Sequence, residues 1–578
     1  MPRPFSFTGT SFATLDSTSG IENLEPVVNR PGPCTLSSAV NVRFRPGGGV
    51  GPRPGFTQMV DMATSAKVDS CGVLNFYGVT FWKSGTVIHA ATKAQLDVGT
   101  SYTIGVTRTA TEKDFFFANE KDIFVTNETD SYLRIAVGKV TAINSGAGTF
   151  SLSDGSNFAS GTVYIRGTAI TGGTLSTNDF SGCTGLTGSM AIGDIVTQTS
   201  TPSGAPKGTC IASLEGSALV GKGSTIFVSL PSNDQEPELF YDFTLTSGAT
   251  AKRMSSNVNA LKTGLGVCMI GMSQGIDVAT GFEPNTGALL TLPLSRVHSV
   301  PNAQCICEMD REFAVLTSDG RILIAMQTVD GFQLVDDPNN PRQNFDYRVQ
   351  GHIQKNKDQS DNSQNCIFYN PATKTLKATI LMKDGLTQDI ICQRDIGAWS
   401  IDDSKNISCR LTVEGVEYAG DDSDDKIHKD EFGTTDNGTS IISRITTGRL
   451  RLGRKGVTGD YLGLTYGGTL SENGQFYQRI IVNDQIFEEL VMAEDMIEDG
   501  QMSTESGVSL GEGEIGPEIV GGEGLETEVF SFNYPYEVMA EAEYVTLEWE
   551  FSDEGTQGEI RFFDLSGESE NELLINPS

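Results

Sequence analysis

Apolar and polar residues alternate along this chain in short runs punctuated by turn chemistry. Val40, Val42 and Phe44 alternate with Asn41, Arg43 and Arg45; Gly47 to Gly49 follow, and a second run reaches Phe56. A period of two flanking a glycine turn predicts a β-hairpin with one buried face. The same scheme recurs. Residues 73–82 turn at 83–85 into 86–91, and 115–118 precede 122–126. Residues 218–220 turn through Gly-Lys-Gly-Ser into 226–229. Residues 313–316 pass through Asp319-Gly320 into 321–325, and 366–369 turn at 370–373 into 375–381. Asp-Gly between apolar runs is a strong hairpin signal, because a tight two-residue turn needs positive φ. Helical periodicity is scarce. The segment 485–496, with Ile486, Phe487, Leu490 and Val491 on one side, is read as a helix.

No single hairpin buries its own apolar face. Radial stacking of four-stranded sheets, a sandwich and an elongated solenoid each solve that problem. The 65 glycines among 578 residues fit many tight turns in any of these. Two stretches break the rhythm. Residues 137–203 hold few charges and much Gly, Ser and Thr, which marks an inserted small β domain. Residues 488–528 are acidic with no Lys or Arg, which marks a self-repelling loop. Strand patterns return at 530–532, 544–551 and 558–563, so the C-terminal part reads as a small β-sandwich interrupted by that loop.

Charge narrows the function. The formal net charge is -33, which repels other polyanions and argues against DNA binding as the main task. No Asp or Glu occurs between Glu25 and Asp61, so the first hairpin is a local basic patch with an arginine face. The ten scattered cysteines read as buried reduced thiols of a protein made in a cytoplasm, and the four histidines show no ligand spacing. No apolar signal core or membrane-length stretch is evident. Gly271-Met272-Ser273-Gln274-Gly275 follows a strand but lacks the helix that a nucleophile elbow needs, and Gly507 to Gly511 lies in the acidic loop. Residues 216–223 miss the phosphate-binding loop at Gly223, where Ser or Thr belongs. The run 421–425 has carboxylates that suit a hard cation but not the EF-hand spacing, and it reads as a solvated acidic turn. No catalytic, cofactor-binding or metal residue is assigned, and the chain is not read as an enzyme.

Several motifs resemble the β-propeller proteins of tailed-phage tails. Asn41-Val42-Arg43-Phe44, a glycine turn and Arg53-Pro54-Gly55-Phe56 resemble an N-terminal "N-x-R-F … R-P-G-F" signature. Residues 161–167 and 182–185 resemble the "G-T-V-x-I-x-G" and "G-C-T-x-G" segments of a small barrel insert. Ile226 to Ser229 before Pro237-Glu238-Leu239-Phe240 resembles a blade segment, and Trp399-Ser400 before Tyr418-Ala419-Gly420 resembles a late blade. Asp436-Asn437-Gly438 leading to Thr447-Gly448-Arg449-Leu450 resembles "D-x-G-x-x-I … T-G-x-L-x-L-G". The resemblance implies an all-β fold: a β-propeller over 1–136 and 204–445, an inserted small β-barrel over 137–203, and a C-terminal β-sandwich-like part over 446–578. It also implies a structural nozzle or hub protein of a short-tailed phage, assembled in the host cytoplasm and located in the virion tail. Such a protein is a homo-oligomer, typically a hexamer. It meets an adaptor of the head–tail connector above and fibres or spikes outside, and genomic DNA passes through without specific binding. Arg43, Arg45 and Arg53 are the candidate subunit-docking residues. The competing expectation is a propeller that binds host glycan or degrades polysaccharide.

Overall fold

The computed structural model describes residues 36–569 except 45–48, 62–65, 72–76, 120–121, 203, 232–241, 245–248, 330, 338, 451–457, 472–474, 494–528, 537–539, 543 and 553–557. Arg45 and most of the acidic loop lie outside the described residues. The chain is nearly all-β, and five blades form a propeller arrangement in which each is a four-stranded antiparallel meander continuous in sequence. These meanders start at Val68–Cys71, Cys210–Leu214, Val258–Gly264, Ile306–Glu308 and Cys366–Asn370. Two composite sheets complete the cycle. Ile407–Val413, Val416–Asp421 and Lys426–Asp430 take their fourth strand, Phe56–Asp61, from the N-terminal side of the ring. Phe115–Asn119, Asp122–Thr126 and Leu133–Asn144 take theirs, Ile195–Ser200, from the far end of the insert, whose barrel shares it. The first strands of successive sheets touch one another around the whole cycle.

Burial follows from that stacking. A second strand has a neighbour sheet on each face, so Val79–Ser84, Val267–Met272 and Thr375–Leu381 are buried at every position. The outer strand Leu289–Ser295 is half open to solvent. Three second strands carry glycine at their fifth position: Gly221, Gly271 and Gly420. Each lies against a valine at the start of the next sheet or in the segment leading into it. A Cβ on Gly271 would sit 2.7 Å from Cβ of Val300, and one on Gly420 would sit 2.7 Å from Cγ1 of Val68. On Gly221 it would sit 2.9 Å from Cγ1 of Val258. The glycine sets how closely adjacent blades approach.

The insert is a closed six-stranded barrel. Strand order runs Thr149–Leu152, Asp179–Ser181, Thr168–Ser176, Gly161–Ile165, Ile195–Ser200, Leu133–Asn144 and back to the first. Its core is its own: Phe150 stacks on Phe180 at 4.8 Å, with Phe158 edge-on. The long strand Leu133–Asn144 begins in the propeller sheet and ends in the barrel, so the two share one backbone.

The C-terminal part is sandwich-like. One sheet runs Ser443–Thr447, Val545–Phe551, Gln475–Val482 and Gln485–Ala493. Leu36–Val40 joins it to the blade strand Ala398–Lys405. The other contains Val42–Phe44, Val50–Pro52, Gly558–Ser569, Gly459–Ser471 and Val529–Tyr536. Phe44, Val50, Phe476, Leu547, Trp549 and Ile560 share one core cluster with the neighbouring blades.

Two expectations are corrected. Residues 485–493 form a strand, not a helix, and pair antiparallel with Gln475–Val482. The turn between them is Asn483-Asp484, with φ of 48° and 66°, the two left-handed residues of a tight hairpin turn. That dipeptide outweighed a helical apolar spacing whose members Ile486, Phe487 and Val491 are exposed. Not every thiol is reduced: Cys409 is disulfide-bonded, whereas Cys183, Cys210, Cys268, Cys305, Cys307, Cys366 and Cys392 are buried and free. The sequence near misses resolve as hairpins: Ser273 lies in the turn between Val267–Met272 and Gly275–Phe282, and residues 217–222 are a strand.

Candidate functional site: a buried ion-pair network at the ring closure

The motifs that lie furthest apart in the sequence meet where the ring closes. Asn41 breaks the first strand with φ of 55°, a conformation Asn tolerates better than most residues. The break separates Leu36–Val40, in one sheet, from Val42–Phe44, in another. Asn41 is tied on every side. Its side-chain amide donates to Asp403 at 3.1 Å and to the Ile442 carbonyl at 2.8 Å. Its Oδ1 accepts from the Arg53 side chain and from the Asp403 amide. Gly55 packs on the backbone of Thr435, where a Cβ would collide. Phe56 stacks on the His428 ring at 4.3 Å.

Beneath this lies a network of five cations and six carboxylates. Arg43 binds Asp402 at 2.7 Å and also pairs with Glu431. Arg53 pairs with Asp436 and lies 3.6 Å from Asp402. Lys377 has a fully buried side chain and reaches Glu417 at 2.6 Å, Asp430 at 2.9 Å and Glu431 at 2.6 Å. Lys405 contacts Asp430 at 3.1 Å and Asp402 at 3.4 Å. Arg410 pairs with Asp389 and with Asp430 at 2.5 Å. Glu417, Asp430 and Glu431 are grouped closely enough to suggest a cation site, and the Lys377 ammonium is that cation.

The charged forms are mutually enforced. Burial alone would lower the Lys377 pKa, but Asp430, Glu417 and Glu431 hold it above the usual lysine value. Burial would raise Asp402, and Arg43 and Lys405 hold it well below the carboxylate range. Asp430 is held low by Lys377, Lys405 and Arg410 against its own burial. Glu431 falls to about 2, its burial overruled by Arg43 and Lys377.

The arginine face expected on the first hairpin is therefore turned inwards. Arg53 is 4% exposed and Arg43 is half-buried, and both guanidiniums are engaged within the chain. The partners Asp389, Asp402, Glu417, Asp430 and Glu431 escaped the sequence reading, because acids are so frequent that no pair stood out. A partial signal was present: Lys377, Asp389, Asp402 and Arg410 stand inside strands that also carry buried apolar residues.

One pocket has a cavity volume of about 200 Å³ and is lined in part by Glu112, Lys113, Phe115, Thr209, Asn259 and Asn302. Phe115 and Asn259 belong to first strands of two sheets, and Asn302 caps the short 3-10 turn that precedes the first strand of a third. Lys113 is engaged there, donating to the Ser363 carbonyl at 2.6 Å. No helix among the described residues is long and apolar enough to cross a membrane. In comparisons with protein-family models and with curated proteins, nothing matches this chain.

Proposed function

We propose that this protein is a structural component of a phage tail, assembling as a ring that continues the DNA-exit channel and carries fibres or spikes outside. The observation that supports this reading most is the closure constellation. The separated motifs "N-x-R-F … R-P-G-F" and "D-x-G-x-x-I", on which the resemblance rests, meet in one contact set: Arg53, Gly55 and Phe56 against Thr435, Asp436, Asn437 and His428, with Asn41 accepting from Arg53. Residues that had only their order in common have a shared physical task, which is to lock the propeller shut.

Charge supports the conduit. The network carries a formal excess of one carboxylate, so nearly all of the net charge of -33 lies elsewhere on the chain. An anionic wall repels phosphates and lets DNA slide without a specific contact. The barrel and the C-terminal sheets offer surfaces for neighbours outside the propeller.

The test is direct imaging of the purified protein, with light scattering for its mass. Closed rings of several copies with a central channel are expected, as is binding to tailless particles that already carry the adaptor. A strictly monomeric protein that ignores such particles refutes the reading. Glycan-array binding lost on removing the barrel, or release of reducing ends from polysaccharide, favours the alternative.

A further inference from the structure

The acidic hairpin turn that leads into the closure seam carries a second feature. Strands Val416–Asp421 and Lys426–Asp430 are joined by residues 422–425, and Asp421, Asp424 and His428 bring one oxygen, one oxygen and one ring nitrogen within 4.8 Å of one another. We propose that these three side chains bind one divalent first-row transition-metal ion, of the class of Zn2+ or Mn2+.

The observation that points to a ligand is His428. Its ring is 2% exposed, and Nε2 is a buried polar atom with no aligned hydrogen-bond partner. Nε2 lies 3.4 Å from Oδ2 of Asp421, within ion-pair range. Two ligands held about 2.1 Å from a tetrahedral ion are themselves about 3.4 Å apart, so this edge already has the required length. Stacking on Phe56, with an interplanar angle of 14°, fixes the ring plane. The Asn437 amide nitrogen lies 3.4 Å from Nδ1 on the other side of the ring.

The carboxylates are fixed too. Asp421 spends Oδ1 on the Ser423 amide and hydroxyl, at 2.7 and 2.6 Å, leaving Oδ2 towards His428. Asp424 accepts from the Lys426 amide through Oδ1 and meets the Lys426 ammonium at 2.6 Å through Oδ2. That lysine is 30% exposed on a flexible stem, so an entering dication displaces it into water. Asp422 is committed elsewhere, to Lys67 at 3.0 Å and to Gln364, and is not a ligand. An imidazole with two carboxylates suits a borderline ion better than calcium, which takes six or more oxygens. Water fills the remaining positions. Because the turn also receives the Val68 amide at the Asp424 carbonyl, the ion clamps the closing blade to its neighbour.

The test uses the full chain without a histidine tag, stripped with a chelator and dialysed. Zn2+ is titrated by calorimetry, and Mn2+ by its electron paramagnetic resonance signal. One equivalent per chain and a raised melting temperature are expected. Both are lost in Asp424→Asn, whose half-exposed side chain leaves the fold intact, and in His428→Gln. Failure of the wild type to bind either ion overturns the proposal, as does binding that survives both substitutions or selective binding of Ca2+ alone. Circular dichroism of the metal-free variants separates lost ligation from lost folding. Ring formation is scored independently, so this result and that of the phage-tail reading do not depend on each other.

Discussion

Replacing Lys377 by Met removes one ammonium from the centre of the closure network and leaves an unbranched apolar side chain one atom shorter. The side chain is fully buried, and its three carboxylate partners at 2.6 to 2.9 Å would then face one another across an apolar thioether. Breaking a buried ion pair by deleting one partner costs about 3–5 kcal/mol, because the remaining charge is left unpaired and desolvated. At about 2.1 cal/mol/K of unfolding entropy per residue, a unit of several hundred residues loses roughly 1 °C of melting temperature per kcal/mol, so a drop of about 3–5 °C is expected near pH 7. Differential scanning calorimetry with far-ultraviolet circular dichroism measures it. The chemistry predicts two further features. The double variant Lys377→Met/Glu417→Gln removes one unpaired charge, leaves Asn370 its hydrogen-bond partner, and recovers part of the loss. The deficit also shrinks on acidification, because orphaned carboxylates rise in pKa and protonate where the wild-type ones stay charged. A variant that melts within about 1 °C of wild type, or whose deficit does not change with pH, refutes the argument that the ammonium neutralises this cluster.

Acid should unlock the ring even without substitution. Glu431 is lowered from 4.5 to about 2, and Asp402 and Asp430 are also held below their ordinary values. Their stabilisation is complete above the unfolded carboxylate range and is lost as pH falls through the folded values, so denaturation midpoints should decline below about pH 4.5 and a flat profile there contradicts the network. Gly271→Ala puts a methyl 2.7 Å from Val300 Cβ between two blades, and overpacking of this kind costs about 1–3 kcal/mol, read as a lower urea midpoint. Replacing residues 140–194 by a short turn removes the barrel with its separate aromatic core, and calorimetry should show the main transition retained within a few degrees.

Much of the architecture was legible because hairpins write themselves locally. Asp319-Gly320 set the turn before Ile322–Thr328, and the uncharged Gly/Ser/Thr stretch marked the barrel. Order around the ring was less legible, since it depends on contacts between whole sheets. The fourth strand of the closing blade, Phe56–Asp61, comes from the opposite end of the propeller, and no local pattern reports that. The strand at Gln485–Ala493 was misread because apolar spacing was weighed above the Asn483-Asp484 turn. The arginines were conspicuous but their direction was not. Whether Arg43 faces solvent or Asp402 depends on a strand that enters from far along the chain.

The borrowed strand also constrains the birth of the molecule. Phe56–Asp61 leaves the ribosome early, yet its partner Lys426–Asp430 emerges only after every intervening sheet has been made. Until then the early segment has an open hydrogen-bonding edge and several unpaired positive charges. Nascent chains interrupted before residue 430 are thus exposed to swapping that strand with a sister chain, and it is the late pairing of these two segments that makes each copy's ring self-contained.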